Sequence, residues 1–289
     1  MHAADATSPR TGAILVTAAA AAFSTAGLFT RLIAADVWTV LFWRGLFGAV
    51  LIAAYIVWTL RGGVLRAFTM LSGAAIAAAA CSTIGTICFV NALRMTTVAD
   101  VTVIFSTSPF IAACIAWIWY RERQTRTTLA ASALALAGVV VMFSASRPRV
   151  NLIGCALALA MTVLISLMMV IIRRHRRVSM LPAVCLSALA CAVLVAPWSH
   201  PLNVTPRDFL LLAAFGTTQF GLGLLLLAVG GRLISATRAS LLGTLELPLA
   251  PIWVWLAFAE FPPYETISGG VIVLAAILLD LGAHRNAVA

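Results

Sequence analysis

Lysine is absent from this chain; all 19 basic residues are arginine. Charge of either sign is scarce, at 10% of residues against 63% hydrophobic. Soluble domains carry about 25% charged and about 45–50% apolar residues. A soluble fold of 289 residues with this composition would lack the polar surface to cover itself. The short alternating segments of a membrane β-barrel are also missing. No HExxH, GxSxG or GxxxxGK[ST] pattern occurs, so common signatures of metal, serine and phosphate-loop chemistry are absent. Only four histidines occur, at positions 2, 175, 200 and 284, near span ends or termini, which excludes a histidine relay at mid-membrane. None of the six cysteines (81, 88, 114, 155, 185 and 191) forms a CxxC pair. They read as small apolar fillers rather than metal ligands or disulfides, and no cofactor or metal is expected.

What the chain does have is length in its apolar runs. Mean hydropathy is +1.07, and several runs reach the roughly 20 residues needed to cross about 30 Å of hydrocarbon. The fold class expected is an all-α integral membrane protein. Glycine, proline and arginine punctuation divides it into ten spans, near 12–34, 37–59, 69–91, 97–119, 127–145, 151–172, 181–198, 208–230, 236–258 and 264–283. The polar start, Met1–Arg10, followed by an alanine-rich run, has the outline of a signal peptide; the repeat below requires it as a retained first span.

The net charge of +10 would suggest nucleic acid on a soluble domain. On a membrane protein it reports orientation, because cytoplasmic loops collect arginine. With the N-terminus inside, inner loops hold arginines 10, 61, 66, 121, 123, 126, 173, 174, 176, 177, 232, 238 and 285. Outer loops hold 94, 147, 149 and 207, and Arg31 and Arg44 lie within spans. Both termini are thus expected in the cytoplasm, and no nucleic-acid partner is expected. The RRHRR cluster at 173–177 is a topology signal that could also meet anionic lipid headgroups.

A repeat runs through the chain. SPFIAACIAWIWYRE, Ser108–Glu122, is echoed by ELPLAPIWVWLAFAE, Glu246–Glu260. Pro109 and Pro248 are 139 positions apart and Glu122 and Glu260 are 138 apart. Upstream, NALRMTTVADVTVIFSTSP parallels AVGGRLISATRASLLGTLELP. The expected units are residues 1–147 and 148–289, five spans each. Five is odd, so the second copy enters from the opposite side. Two inverted five-helix repeats suit a secondary transporter, because each half can adopt the other's conformation. Pro109 and Pro248 fall mid-span, where loss of a backbone hydrogen bond loosens the helix. They are candidate hinges, with a plain packing kink as the alternative.

The doubled motif, N-A-L-x-x-T followed by alanine, proline and Arg-Glu over Asn91–Glu122, resembles the repeat of the drug/metabolite transporter superfamily, EamA type. Glu246-x-Pro248, Glu260 and Arg44 in LFWRGLFGAV match it too. Within that family the chain is most similar to aromatic amino acid exporters of the YddG type. The resemblance implies ten helices and a central cavity lined by spans 1, 3, 4, 6, 8 and 9. It also implies a bacterial inner-membrane location and export of small metabolites, with aromatic or large neutral amino acids favoured. Lacking an ATP site, such a protein would draw on a gradient or an exchange. A passive facilitator, or an exporter of other amphipathic metabolites or drugs, is the alternative. A membrane-embedded enzyme would need polar residues clustered at one membrane face, which the sequence does not display. No residue fixes an oligomeric state; a monomer is compatible with the sequence.

Ionisable groups at depth cost about 2.5–3.5 kcal/mol each on insertion scales and need a reason. Glu246 lies about ten residues into span 9, near the midplane. It either binds a substrate ammonium or carries a proton, or else pairs with a basic group or a freed carbonyl near Pro248. Its repeat counterpart by the proline spacing is Thr107, which is uncharged, so the site would be asymmetric. Arg44 is expected to snorkel or to pair with a carboxylate. Arg31 and Asp280 are expected at the interface, and Asp100 near the outer face. Asn91 and Gln219 offer amides to a cavity or to a neighbouring helix. Ser24 and its neighbour Thr25, with Thr83 and Thr162, fall on cavity-lining spans, though hydroxyls often bond their own backbone. Phe23 and Phe105 could stack on an aromatic substrate; core packing is the simpler explanation. Trp117, Trp119, Trp253 and Trp255 fit an interfacial belt.

Overall fold

The computed structural model of the chain describes residues 9–60, 72–144, 151–175, 180–259 and 261–286. Glu260 lies outside them, as do arginines 61, 66, 147, 149, 176 and 177. Every regular element among the described residues is helical. The spans are Pro9–Leu32, Val37–Leu60, Gly73–Met95, Val98–Tyr120, Arg126–Met142, Leu152–Arg174, Leu181–Trp198, Pro206–Gly230, Ala236–Phe258 and Tyr264–Asn286. Nine are long and apolar enough to cross a bilayer; the fifth, Arg126–Met142, has 17 residues.

Local chemistry sets the helix starts. Ser72, Thr97, Thr125, Asn151, Thr205 and Ser235 each accept a hydrogen bond from a backbone N–H two or three residues on, satisfying donors that the first turn leaves free. The Ser72 cap displaces span 3 by four residues from its expected position at 69–91, because hydropathy alone cannot see a cap. Asp100 is explained the same way. It closes a capping box with Thr97, a structural task at the start of span 4.

The repeat is visible in the helix boundaries themselves. Span 4 consists of half-helices Val98–Phe105 and Ser108–Tyr120; span 9 consists of Ala236–Gly243 and Glu246–Phe258. All four boundaries shift by 138 positions. Both spans end on a left-handed residue that is not glycine, Arg121 at φ 57° and Ala259 at φ 56°. The structural offset of 138 replaces the proline spacing of 139, so Glu246 corresponds to Ser108 and not to Thr107.

Packing follows a pseudo-two-fold that exchanges spans 1–5 with 6–10. Span 3 packs on span 6 as span 8 packs on span 1; span 4 on 6 as 9 on 1; span 2 on 8 as 7 on 3. Spans 2 and 7, 4 and 9, and 5 and 10 pair across the axis. Without water to drive association, small residues that let backbones approach supply much of the packing. Spans 5 and 10 meet at Gly138 and Gly269, where a Cβ on Gly138 would lie 2.8 Å from the Gly269 carbonyl.

Two expectations are overturned here. Asp280 is not interfacial: it is fully buried and binds the Arg238 Nε at 2.8 Å, with Thr128 Oγ1 donating to its other oxygen at 2.7 Å. Arg238 accordingly belongs to the first turn of span 9 rather than to a loop. Arg44 neither snorkels nor pairs with a carboxylate among the described residues. Its guanidinium lies 4.2 Å from the Phe220 ring centre and 5.7 Å from that of Phe215, a cation–π clamp between spans 2 and 8.

Candidate functional site

The site begins with interrupted helices. Span 1 breaks at Thr25, span 4 at Ser106–Thr107 and span 9 at Thr244–Leu245, and span 8 passes through a π-helical turn at Phe215–Gly221. The first three interruptions tighten into i→i−3 bonds: Thr25 N to Ala22 O, Thr107 N to Ile104 O and Leu245 N to Leu242 O. Short 3₁₀ and π stretches inside helices often mark hinges or functional positions. Proline accounts for two of them. Its ring excludes the carbonyl four residues back: for Pro109 that is Phe105, the last residue of the first half-helix, and for Pro248 it is Thr244, the residue just after it. The hinge candidates thus sit beside the breaks rather than at them, and Pro251 falls within the second half of span 9 as well.

Backbone groups freed inside a membrane need partners, and hydroxyls serve here. Ser24 and Thr25 donate to the Ala21 and Ala22 carbonyls at 2.7 Å each. Ser106 and Thr107 donate to Val103 and Ile104 at 2.6 Å each, and Thr244 donates to Leu241 at 2.7 Å. Thr162 donates to Ala158 and Thr83 to Ala79. Thr83 also reaches Ser187 of span 7. The Asn91 amide donates to Ile87 O at 2.8 Å. Most of the polar candidates are therefore engaged by their own helices.

Three candidates meet where spans 1, 8 and 9 converge. Gln219, buried in the π turn, donates through Nε2 to the Phe23 carbonyl at 3.4 Å, while its Oε1 is buried without a partner. The Phe23 ring packs against Gly223, whose missing side chain makes room for it. The Ser24 hydroxyl accepts from the Trp253 indole at 2.8 Å. Trp253 thus belongs to this cluster, not to an interfacial belt; its neighbours Trp117, Trp119 and Trp255 are exposed. Phe105 ends the first half of span 4 and packs among Ala92, Val101 and Met161 between spans 3, 4 and 6, apart from the Phe23 cluster.

Glu246 stands out from every other candidate. It opens the second half of span 9, yet no ion pair or hydrogen bond engages its carboxylate among the described residues, and its side chain keeps accessible surface. Gly243 lies one tight turn earlier, and a Cβ there would meet nothing within 4 Å. Residues i and i+3 eclipse in such a turn, so carboxylate and open space share one side of span 9. The sequence allowed a structural partner for Glu246; the described residues contain none. Its position at the N-terminus of a half-helix also stabilises negative charge. Ser108, the equivalent residue in span 4, offers its carbonyl to Ser166 Oγ at 3.2 Å, and its own hydroxyl is buried without a partner.

Two signals were missed in the sequence. The span 1 break has no proline, only the Ser-Thr pair at 24–25. The π turn, GTTQ within Phe215–Gly221, carries two threonines that donate back to Ala213 and Ala214.

Comparison with known proteins agrees with this architecture. The model of the EamA-like transporter family matches twice, at residues 10–144 and 152–281. A protein of known crystal structure superposes with a TM-score of 0.80, covering 94% of this chain and 97% of its own. At 19% identity, that likeness speaks for the fold alone. No curated protein sequence matches significantly.

Proposed function

The chain belongs to the EamA-like transporter family, and from that premise we propose that it exports amino acids with aromatic or large neutral side chains by alternating access. The coarser statement, a membrane transporter of small molecules, follows from the family itself. The observation that carries the finer one is the unpartnered Glu246 carboxylate beside open space at the interruption of span 9. A mid-span carboxylate without a partner among the described residues suits a ligand that brings a cation, and an amino acid brings an ammonium group. Phe23, tied to span 8 through Gln219, and Trp253, tied to span 1 through Ser24, supply the apolar wall that a large side chain needs.

In this reading Glu246 and Gln219 bind the polar end of the substrate and Phe23 borders its side chain. Ser24, Thr83, Thr107 and Thr162 support helix geometry around the site, and Asn91 and Phe105 line its approach. The two units, residues 1–147 and 148–289, rock about the interruptions next to Pro109 and Pro248. The protein sits in a bacterial inner membrane with both termini cytoplasmic. The test is uptake of labelled phenylalanine or tryptophan into proteoliposomes. Uptake no faster than in protein-free vesicles would remove the amino-acid assignment.

A further inference from the structure

A cavity lies away from span 9's interruption, at the arginine-rich end of the bundle. Its volume is about 210 Å³, and its wall includes Glu122, Gln124, Thr128, Arg173, Ser235 and Arg238. A single ordered water needs only about 10–15 Å³ measured in this way, so the space is of small-molecule size. Spans 4 and 6 end here, and spans 5 and 9 begin here with caps Thr125 and Ser235.

The wall's charges are unevenly spent. Arg238 is neutralised by Asp280, and Arg123, also on the wall, is exposed to solvent. Arg173 uses one N–H, on Nη1, to hold the Arg232 carbonyl at 3.0 Å, leaving the rest of its five donors. The Glu122 Oε2 and the Gln124 Nε2 are both buried and have no hydrogen-bond partner among the described residues. Buried polar atoms are rarely left so. A free acceptor, a free donor and an available guanidinium therefore border one cavity. A simple anion would satisfy the arginine and meet repulsion from Glu122; a simple cation would meet the reverse. A molecule with both charges satisfies the whole set.

We propose that this cavity is a second binding site, distinct from that of Glu246, for a small zwitterion. Its ammonium group is held by Glu122, and its acidic oxygens by Arg173 and Gln124. The chemistry is shared by a free amino acid and by the headgroup of phosphatidylethanolamine. The inference does not depend on Glu246, and the test keeps the two sites apart.

Calorimetric titration of the purified full chain with L-phenylalanine, in phosphatidylglycerol nanodiscs, reads the number of sites. The expected result is two molecules per chain, one lost in Glu122→Gln and the other in Glu246→Gln. If the span 9 site takes no amino acid, the wild type binds one molecule and Glu122→Gln still removes it. In Glu246→Gln protein, phenethylamine and 3-phenylpropionate, each lacking one charged group, should bind at least tenfold more weakly than phenylalanine. Replacing phosphatidylglycerol with phosphatidylethanolamine separates the sources. A tenfold loss of phenylalanine affinity assigns the site to the lipid headgroup, and unchanged affinity assigns it to the free amino acid. Glutamine keeps the shape of Glu122 and can still accept from the neighbouring Tyr120 hydroxyl, so Glu122→Gln should unfold at the wild-type temperature. Stoichiometry and affinity unaffected by Glu122→Gln, in protein that melts normally, would overturn the proposal. Equal binding of the two singly charged analogues would do the same.

Discussion

Ser108 and Glu246 occupy one position in two copies of one fold, each opening the second half-helix of its span, 138 positions apart. One carries a hydroxyl and is tied through its carbonyl to Ser166; the other carries a carboxyl group with no partner among the described residues. The duplicated scaffold supplies the interruption twice, and in the proposed reading glutamate in place of serine makes a single, one-sided site. Ser24 and Ser166 show the complementary case. Each crosses between halves, Ser24 of span 1 to Trp253 of span 9 and Ser166 of span 6 to Ser108 of span 4, so symmetry-related pairs of spans are linked on both sides of the axis.

Glu246→Gln keeps the shape and removes the charge. A hydrogen bond to a charged group contributes about 1.5–3 kcal/mol, so substrate binding should weaken by roughly 10- to 100-fold. No protein contact is lost. The melting temperature should therefore stay within the about 2–4 °C that corresponds to 1 kcal/mol in chains of comparable size. Titration and thermal unfolding of the same preparation check both. A large drop in melting temperature with unchanged binding would return Glu246 to a structural role.

Asp280→Asn should behave in the opposite manner. It leaves Arg238 charged, buried and without its counter-ion, at a cost of about 3–5 kcal/mol. Replacing both partners, Arg238→Met with Asp280→Leu, should recover most of that loss, because burying two charges was itself costly. Unfolding of the two variants in detergent measures the difference, and equal stability of single and double variants would argue against an uncompensated arginine charge as the source of the loss.

Close backbone approach makes spans 5 and 10 intolerant of side chains. Gly138→Ala and Gly269→Ala place a methyl group against facing backbone and should destabilise by about 1–3 kcal/mol. Gly282, on the same span as Gly269, faces nothing within 4 Å. Its change to alanine should be neutral or stabilising by up to about 1 kcal/mol, the helix-propensity difference. Thermal unfolding of the three variants side by side decides the point.

Much of this was legible in advance. Ten helices, the repeat and the prolines follow from hydropathy and from Ser108–Glu122 against Glu246–Glu260. The register was harder, because Pro109 lies one residue past the start of its half-helix and Pro248 lies two past the start of its own. Proline acts on the carbonyl four residues back, and helices end there within a residue's latitude. Partners could not be read at all. Asp280 and Arg238 lie 42 positions apart, and only the packing of spans 9 and 10 brings them together. Arg44 was expected to seek water or a carboxylate, and it found the rings of a π turn that no propensity scale marks. The polar site residues were the least legible class. A hydroxyl facing a cavity and one closing its own helix look alike in sequence, and here most close the helix.

Asp36 offers a pH test outside the spans. Burial raises its carboxyl pKa, but hydrogen bonds from the Thr39 side chain and from the Thr39 and Trp38 backbones, with His200 nearby, outweigh that and hold it below the ordinary 3.8. A depressed folded-state pKa stabilises the fold above the unfolded value and loses that contribution as pH falls through the folded one. Stability should therefore decline on acidification below pH 3.8, and Asp36→Asn should flatten that part of the curve. Parallel melting curves from pH 6 down to about 3, bracketing the ordinary aspartate range, provide the comparison.

Counterflow in proteoliposomes tests the carrier mechanism most directly. Vesicles loaded with unlabelled phenylalanine should take up external labelled phenylalanine transiently above its equilibrium level and saturably, and Glu246→Gln vesicles should not. Uptake that rises linearly with concentration and ignores the internal load would mean a pore open to both sides at once, and would contradict a site exposed alternately by two inverted halves.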